Sequence, residues 1–493
     1  MKKYIISMAC ALLMGGACLT SCSEEEDVLQ PMNPVRVAIH AVIDGGIGSR
    51  VSLTDDAASR VVKVDWKAGD AFSIPVNGTP YTFTYDETEG KFFCNAENFP
   101  ATFTQAGTVT ATYPATAPTG HATQGGTLEA AAGLIAMNAT LDVAAGQSTQ
   151  GLKLVFNHQS AILKMKATHT DFAGKPVDVS FSATGLLADG NSIATAAPVT
   201  ADANGSVTVY FTVPSTTTSL SNATLSVSCS EVGYSATLNS AKQLEAGKLY
   251  NINKEAVRDF EITTADDGKT TYTVNTYAGL QAWATAFQTS PKINLTLGRD
   301  ITLPAVGEGE SNWTPVGDPD NQYPITIDGD EHTISGLVIH GEEGIEAGFI
   351  RYMTDGTITD LTLKDVSVTG QAAYAGALVG QANNTTISGC KVTGNSSVSA
   401  LYYAGGLVGI ATGGKISECE NYAAVTAPDD SKGYAGGIVG VAQGITINYC
   451  INYSSSIEGA TYSGFMVGFA LGHIPVNYNQ NESGSGLNEV GNW

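Results

Sequence analysis

Apolar and polar residues alternate with a period of two along much of the first half of the chain. From Val35 to Ile43 every odd position is apolar, so a strand there presents one apolar face. A Gly-rich segment at residues 44–49 ends this strand, and further short runs follow between turn residues. The spacing predicts sheets rather than alternating strand and helix units. The apolar set of the first strand is Val35, Val37, Ile39, Ala41 and Ile43.

Two groups of alternating runs are separated by a Thr-, Ala- and Gly-rich stretch at residues 115–126. The second group includes Leu152 to Phe156 and Leu225 to Cys229. Helical periodicity is scarce in both groups. We therefore expect two β-sandwich domains, at residues 34–147 and 148–254.

The rest of the chain, residues 255–493, contains an internal repeat at residues 346–468. Successive units start 29, 31 and 28 residues apart, and in three of them a Cys follows the leading Tyr by 16 residues. A degenerate earlier copy starts at Glu346 and has Leu361 at the Cys position. A unit of this size cannot bury a face alone, so we expect a β-solenoid of 28–31-residue coils, two or three strands each, with the Cys positions inward. The repeated residues are Tyr374, Tyr403, Tyr434 and Tyr462, and Cys390, Cys419 and Cys450.

Two further features belong to this solenoid. Leu280, Trp283 and Phe287 share one stripe of a predicted helix from Thr276 to Phe287, which would cap the open end of the coils. Adjacent coils would set equivalent cysteines about 4.8 Å apart, so a crosslink stays open as an alternative to core packing.

The first 22 residues have the order of a secretory signal. Lys2 and Lys3 precede an uncharged apolar run, which ends in Leu19-Thr20-Ser21-Cys22. That ending resembles the lipobox of bacterial lipoproteins, and the resemblance implies removal of residues 1–21 and lipidation of Cys22. The acidic stretch within residues 22–33 resembles the export tag of Bacteroidetes surface lipoproteins, which implies a lipid anchor in the outer membrane and exposure at the cell surface.

The net charge bears on the binding partners of the chain, and the number of cysteines bears on its disulfides. Acidic residues outnumber basic ones 47 to 24, and a net charge of −23 would repel a phosphate backbone. We therefore expect no nucleic-acid partner. Five cysteines besides Cys22 follow the signal, an odd number that favours buried thiols over a complete set of disulfides.

The sequence offers little catalytic chemistry. It lacks H-E-x-x-H, G-x-S-x-G and G-x-x-x-x-G-K-[ST], and His158 has no identifiable nucleophile or carboxylate constellation. We expect no catalytic residue, no metal and no cofactor. Four aspartates around Gly329 have the oxygens that Ca²⁺ prefers, but turn positions explain them better. They are Asp318, Asp320, Asp328 and Asp330.

The repeats place tyrosines in two rows. Tyr374, Tyr403, Tyr434 and Tyr462 form one, and Tyr422 and Tyr453 form another. A packing ladder and a ligand surface that stacks on sugar faces are both open interpretations, and we favour the ladder.

Three segments of residues 34–254 resemble fimbrillin-like proteins of Bacteroidetes. They are Trp66-Lys67-Ala68-Gly69-Asp70, Phe156-Asn157-His158-Gln159-Ser160-Ala161, and Leu244-Glu245-Ala246-Gly247-Lys248-Leu249-Tyr250-Asn251-Ile252. The repeated A-G-G-L-V-G core resembles the GLUG motif of bacterial surface proteins, over about residues 346–468.

The fimbrillin resemblance implies assembly with other fimbrial subunits by β-strand exchange. In that scheme an Arg-directed protease removes the first strand, and a strand from a neighbour fills the groove. Arg50, which we expect in a loop, is the first cleavage candidate and Arg60 is the second.

Together these features favour an outer-membrane surface lipoprotein. We expect an accessory or tip subunit of a fimbria, because about 240 residues follow Ile252 where a stalk subunit would need a free donor strand. The solenoid would be an adhesive module for a host protein or glycan. One alternative is a lipid-anchored glycan-binding protein that does not polymerise, and a less favoured one is a polysaccharide-degrading β-helix enzyme.

Overall fold

The computed structural model describes residues 37–43, 50–55, 62–116, 121–188, 190–215, 219–238, 243–290, 292–320, 324–477 and 480–481. Strands make up 53% and helices 5%, which confirms the all-β class, and the C-terminal half is a β-solenoid of about 6 turns. Three separate hydrophobic clusters form the cores. The signal at residues 1–21 and the tether at residues 22–33, which includes Cys22, lie outside the described residues. Val35 and Arg60 also lie outside them.

The first domain contains β1 (Val37–Ile43), β2 (Arg50–Asp55), β3 (Val62–Asp65), β4 (Ala71–Val76), β5 (Thr79–Asp86), β6 (Lys91–Cys94), β7 (Gly107–Tyr113), β8 (Thr123–Gln124), the helix α1 (Leu128–Ala132), β9 (Met137–Val143) and β10 (Lys153–His158). Seven of these strands close into a ring in the order β1-β10-β9-β7-β4-β5-β6. Alternating side chains of β4 point into the ring, where Phe72 and Ile74 are fully buried.

Two details of this domain differ from the sequence-based expectation. The run Leu152 to Phe156, which we expected in the second domain, contributes to β10 and packs in the first core, because β10 pairs with β1 and β9. Arg50, expected in a loop, is the first residue of β2, a strand the sequence did not reveal, which pairs with β3. Both differences arise from pairings between segments that are distant in the chain or weakly patterned.

The second domain contains β11 (Ser160–Thr168), a 3₁₀ turn (Thr170–Phe172), β12 (Pro176–Thr184), β13 (Ser192–Thr195), β14 (Val199–Thr200), β15 (Ser206–Pro214), β16 (Ser221–Cys229), β17 (Val232–Leu238), β18 (Leu249–Glu255) and β19 (Val257–Arg258). One sheet has the order β15-β11-β18, and the other has the order β19-β17-β16-β12-β13-β8, with β14 beside β12. The buried faces of both sheets share one core, as in a β-sandwich.

The solenoid begins with β20 (Phe260–Thr264), β21 (Thr270–Val274), the helix α2 (Tyr277–Thr289), β22 (Ile293–Leu297) and β23 (Ile301–Thr302). The Thr276 hydroxyl accepts a hydrogen bond from the Gly279 N–H and begins α2, as the sequence predicted to within two residues. Trp283 is fully buried and stacks on Phe349 at 6.2 Å between ring centroids. The helix therefore packs its apolar stripe onto the solenoid core.

Five full coils follow, each with five short strands. The first two coils contain β24 (Thr326–Asp328), β25 (Thr333–Ser335), β26 (Val338–Gly341), β27 (Glu346–Ala347), β28 (Ile350–Thr354), β29 (Thr357–Thr359), β30 (Thr362–Lys364), β31 (Ser367–Gly370), β32 (Tyr374–Gly376) and β33 (Val379–Asn383). The third contains β34 (Thr386–Ser388), β35 (Lys391–Thr393), β36 (Ser397–Ser399), β37 (Tyr403–Gly405) and β38 (Val408–Thr412).

The last two coils contain β39 (Lys415–Ser417), β40 (Glu420–Asn421), β41 (Ala424–Ala427), β42 (Tyr434–Gly436), β43 (Val439–Gln443), β44 (Thr446–Asn448), β45 (Ile451–Asn452), β46 (Ile457–Gly459), β47 (Tyr462–Gly464) and β48 (Val467–Leu471). A partial coil follows with β49 (Val476–Asn477) and β50 (Gln480–Asn481). Equivalent strands of successive coils pair in parallel and form five sheets. The expectation of two or three strands per coil was wrong, because sharp corners divide each coil into five.

The inner column predicted from the repeat is present. Leu361, Cys390, Cys419 and Cys450 are all fully buried, one in each of four successive coils. The described cysteines are free thiols rather than disulfides, and the Cys419 Sγ lies 3.1 Å from the Ser417 carbonyl oxygen. In three successive coils a Cys thus occupies the position that Leu361 has in the coil before them, within one continuous apolar core.

Candidate functional site

The three segments that carry the fimbrillin resemblance contact one another: the first packs on the second, and the second is hydrogen-bonded to the third. Trp66 packs edge-on against Phe156 at 5.6 Å between ring centroids. The N–H of Gly247 donates to the Ser160 carbonyl at 2.9 Å, and the space beside Gly247 is filled by the His158 ring. Burial lowers the pKa of His158. These segments therefore join the two N-terminal domains through packing and backbone hydrogen bonds.

The first strand occupies a distinctive place in the ring. Its first half pairs antiparallel with β6, in the register Val37 to Cys94, and its second half pairs parallel with β10, in the register Ile43 to Phe156. Val37 is 1% exposed and packs in the core of the ring. Among the described strands, β1 alone bridges β6 and β10. Removal of β1 would open a groove between two unpaired strand edges.

The leading tyrosines of the repeat form a column on one solenoid face, in register from coil to coil. The first three rings are nearly parallel, with 4.9 Å from Tyr374 to Tyr403 and 5.2 Å from Tyr403 to Tyr434 between centroids. Phe469, which the sequence analysis missed, stacks on Tyr434 at 4.8 Å. The repeat could not indicate Phe469 because the other coils have Tyr, Gln, Ile and Val at its position.

This tyrosine column differs from a sugar-stacking surface in one respect. Each inner ring is covered on both faces by its neighbours, so the faces that would stack on a ligand are already used. The rings are half-buried, and burial together with the neighbouring phenols raises the pKa of Tyr403. The inner part of the column is therefore suited to packing.

A second aromatic pair lies directly after β40 and β45 of the same solenoid. Tyr422 and Tyr453 stack at 4.4 Å between centroids with an interplanar angle of 12°. Their backbone N–H groups donate to the Val392 and Asn421 carbonyls of the preceding coils, which fixes their places in the stack. Tyr422 is 39% exposed, a large value for an aromatic side chain in an otherwise well packed solenoid.

Charged groups lie at the edge of this pair. The Tyr422 hydroxyl donates to Glu420 Oε2 at 3.4 Å, and the Lys391 ammonium donates to Glu420 Oε1 at 2.9 Å. Partial burial and the Glu420 carboxylate raise the pKa of Tyr422, so its phenol remains protonated at neutral pH. The site thus combines an exposed ring with an acceptor and a donor.

The aspartates near Gly329 form turns. Asp318 Oδ1 accepts from the N–H of Asp320 at 2.9 Å, and Asp328 Oδ1 accepts from the N–H of Asp330 at 3.0 Å. Across the described ranges, no three His, Cys, Asp or Glu side chains converge on a point that a metal ion could occupy. No helix in the same ranges is long and apolar enough to cross a membrane.

Comparisons with known proteins give distant similarities. No protein-family model matches the sequence. Over 179 residues, 34% of this chain, the sequence is 28% identical to halomucin from Haloquadratum walsbyi, and the match spans 2% of that protein.

Several solved structures with a distant similarity to this chain come from Bacteroides. A protein from Bacteroides ovatus provisionally described as a cell adhesion protein is 15% identical over 44% of this chain and 91% of its own, with a TM-score of 0.32. A similarly described protein from Bacteroides uniformis is 20% identical over 49% of this chain and 98% of its own, at 0.27. A fimbrial protein from Bacteroides ovatus is 12% identical over 48% of this chain and 53% of its own, at 0.24. Scores of this size do not establish a family, so the function is argued from the chain itself.

Proposed function

We propose that this chain is a surface-exposed adhesive subunit of a fimbria, in an accessory or tip position. In this proposal residues 1–21 are removed, Cys22 carries the lipid anchor in the outer membrane, and the N-terminal domains join other fimbrial subunits by strand exchange. The solenoid is the module that contacts a host protein or glycan. No catalytic step, metal or cofactor takes part.

The observation that carries the proposal is the position of β1 (Val37–Ile43) in the ring. Between β6 and β10, one extended strand supplies hydrogen bonds on both sides and an apolar residue, Val37, to the core. A strand from a neighbouring subunit with the same alternation could make the same contacts after β1 is removed. Arg50 follows β1 closely and begins β2, so cleavage after it would separate β1 from the rest of the ring.

The solenoid supports the adhesive part of the proposal. Its coils are paired in parallel along the full stack, and their buried residues form one continuous cluster. Such a scaffold holds surface side chains at fixed spacings, which favours binding over an extended surface. The Asp318 and Asp328 carboxylates, the acids that a hydrolase would recruit, instead cap backbone N–H groups.

Mass spectrometry of surface material from cells that produce the full chain tests the proposal. We expect fibres to contain a chain that begins at Val51, after cleavage at Arg50, or at Val61, after cleavage at Arg60. The Arg50→Ala variant should retain residues N-terminal to Val51 or begin at Val61, and Arg60→Ala serves as the matched control. If fibres are absent and every chain begins at lipidated Cys22, strand exchange is wrong.

The second candidate is a lipid-anchored glycan-binding protein that never polymerises. The exposed Tyr422 ring beside Glu420 favours it, because that site needs no assembly to bind a ligand. It predicts lipidated full-length chain alone at the surface. The polysaccharide-degrading alternative predicts turnover that is lost on substitution of Asp318 and Asp328.

A further inference from the structure

The register of the solenoid shows what lies on each side of the Tyr422–Tyr453 pair. The pairs Lys364 to Thr393 and Val392 to Asn421 are in register. One residue further along the same alignment, Thr393 lies on the N-terminal side of Tyr422 and Tyr453 lies on its C-terminal side. Thr393 is too small to cover an aromatic ring, and Tyr422 is 39% exposed. One face of Tyr422 stacks on Tyr453, and the register leaves the small Thr393 opposite its other face. We call the surface around this second face the shelf.

The shelf has polar groups on two sides. Lys364 is exposed and lies one coil beyond Thr393 in the same row. In the adjacent row, Lys391 and Glu420 are in register with each other and joined by their 2.9 Å ion pair. Hydrogen-bond donors and acceptors therefore flank one open aromatic face. The shelf is defined here as Lys364, Thr393, Lys391, Glu420, Tyr422 and Tyr453.

We propose that this shelf binds a neutral saccharide, with a pyranose ring stacked on the open face of Tyr422. The C–H face of a sugar is apolar and fits an aromatic face, while its hydroxyl groups both donate and accept hydrogen bonds. Glu420 accepts from a sugar hydroxyl, and Lys391 and Lys364 donate to others. The inference rests on the proposed adhesive role and names the ligand class of the solenoid.

The chemistry of the shelf favours a saccharide over other occupants. A proline-rich peptide presents carbonyl acceptors but few donors, so it would leave the Glu420 carboxylate without a new partner. An acidic polysaccharide would find two lysines and one glutamate in the shelf, but the field of a chain whose net charge is −23 would repel it. The inner rings of the tyrosine column, Tyr403 and Tyr434, are stacked on both faces and offer no free face for a sugar.

Binding of the full chain to arrays of neutral oligosaccharides tests the inference, with acidic polysaccharides and proline-rich peptides on the same array. We expect the wild-type chain to bind a neutral saccharide. Tyr422→Ala should weaken that binding by about tenfold or more, and Tyr422→Phe should retain most of it because the ring remains. Tyr449→Ala is the control, since Tyr449 is 55% exposed and lies outside the shelf. Circular dichroism of each variant checks that the solenoid remains folded.

Several outcomes would overturn the inference. These are an array without a bound neutral saccharide, binding that Tyr422→Ala leaves unchanged, and preferential binding of a peptide or an acidic polymer through Tyr422. The proposed function has an independent readout in the N-terminus of fibre-bound chains. If the chain enters fibres and retains cells on protein-coated surfaces but binds no saccharide, saccharide binding by the shelf is wrong. The proposed adhesive role would then still stand.

Discussion

At the scale of single residues, the coils depend on positions where no side chain fits. A Cβ atom on Gly406 would lie 2.1 Å from the Gly437 carbonyl oxygen and 2.4 Å from the Cγ of Asn421. Asn421 is fully buried, and its amide donates to Asn452 Oδ1 in the next coil at 3.0 Å. The second glycine of the repeat therefore allows close contact between coils and leaves room for a buried amide ladder.

Gly406→Ala should destabilise the solenoid by about 3 kcal/mol, because backbone and a buried amide must both move. Gly444→Ala is the matched control: a Cβ there has nothing within 4 Å, and its φ of +62° costs about 1 kcal/mol. Thermal unfolding of the full chain compares the two variants. Equal shifts in midpoint for both would contradict the packing role of Gly406.

Residues that recur in every coil could be predicted from the sequence, whereas residues that occur in one coil could not. The Tyr and Cys positions could be predicted because repetition makes a weak pattern visible several times. Tyr422 and Tyr453 were recognised as a row, but the open face of Tyr422 depends on the small Thr393 in the preceding coil, which requires the register. Phe469 was missed because its position varies from coil to coil.

At the scale of elements, three-residue strands such as β34 and β35 explain why the number of strands per coil was wrong. A strand of three residues shows one alternation at most, and neither strand forms without the matching strands of the coils beside it. The helix α2 was predicted well because its apolar stripe is local in sequence. The pairing of β1 with β10 is parallel and long-range, so sequence pattern alone did not join them.

The thiol column gives a test of the element-level packing. Burial raises the pKa of the Cys419 thiol, and a buried thiol reacts slowly because the thiolate is the nucleophile. Because all three side chains are fully buried, we expect Cys390, Cys419 and Cys450 to be inaccessible to a thiol-modifying reagent in the folded chain and to react once denaturant is added. Peptide mapping by mass spectrometry identifies the modified positions. Rapid labelling of Cys419 in the folded chain, or a disulfide within the column, would contradict the described core.

At the scale of the whole molecule, the solenoid is joined directly to the second domain. The Asn222 side chain donates to the Ala305 carbonyl at 2.7 Å and accepts from its N–H at 3.0 Å. The strand β19 pairs with β17, and the Thr276 hydroxyl donates to Asp259 Oδ1 at 2.6 Å next to α2. The proposed assembly domains and the proposed binding module are thus linked by hydrogen bonds as well as by the chain.

We propose above all that the chain makes its cell adhere to a surface. The most direct measurement is the retention of cells under flow on a panel of immobilised glycans and matrix proteins, with and without the full chain, after surface labelling verifies its display. We predict that cells displaying the chain are retained several-fold better on at least one of these surfaces. Equal retention on every surface, despite verified display, would show that the chain is not an adhesin.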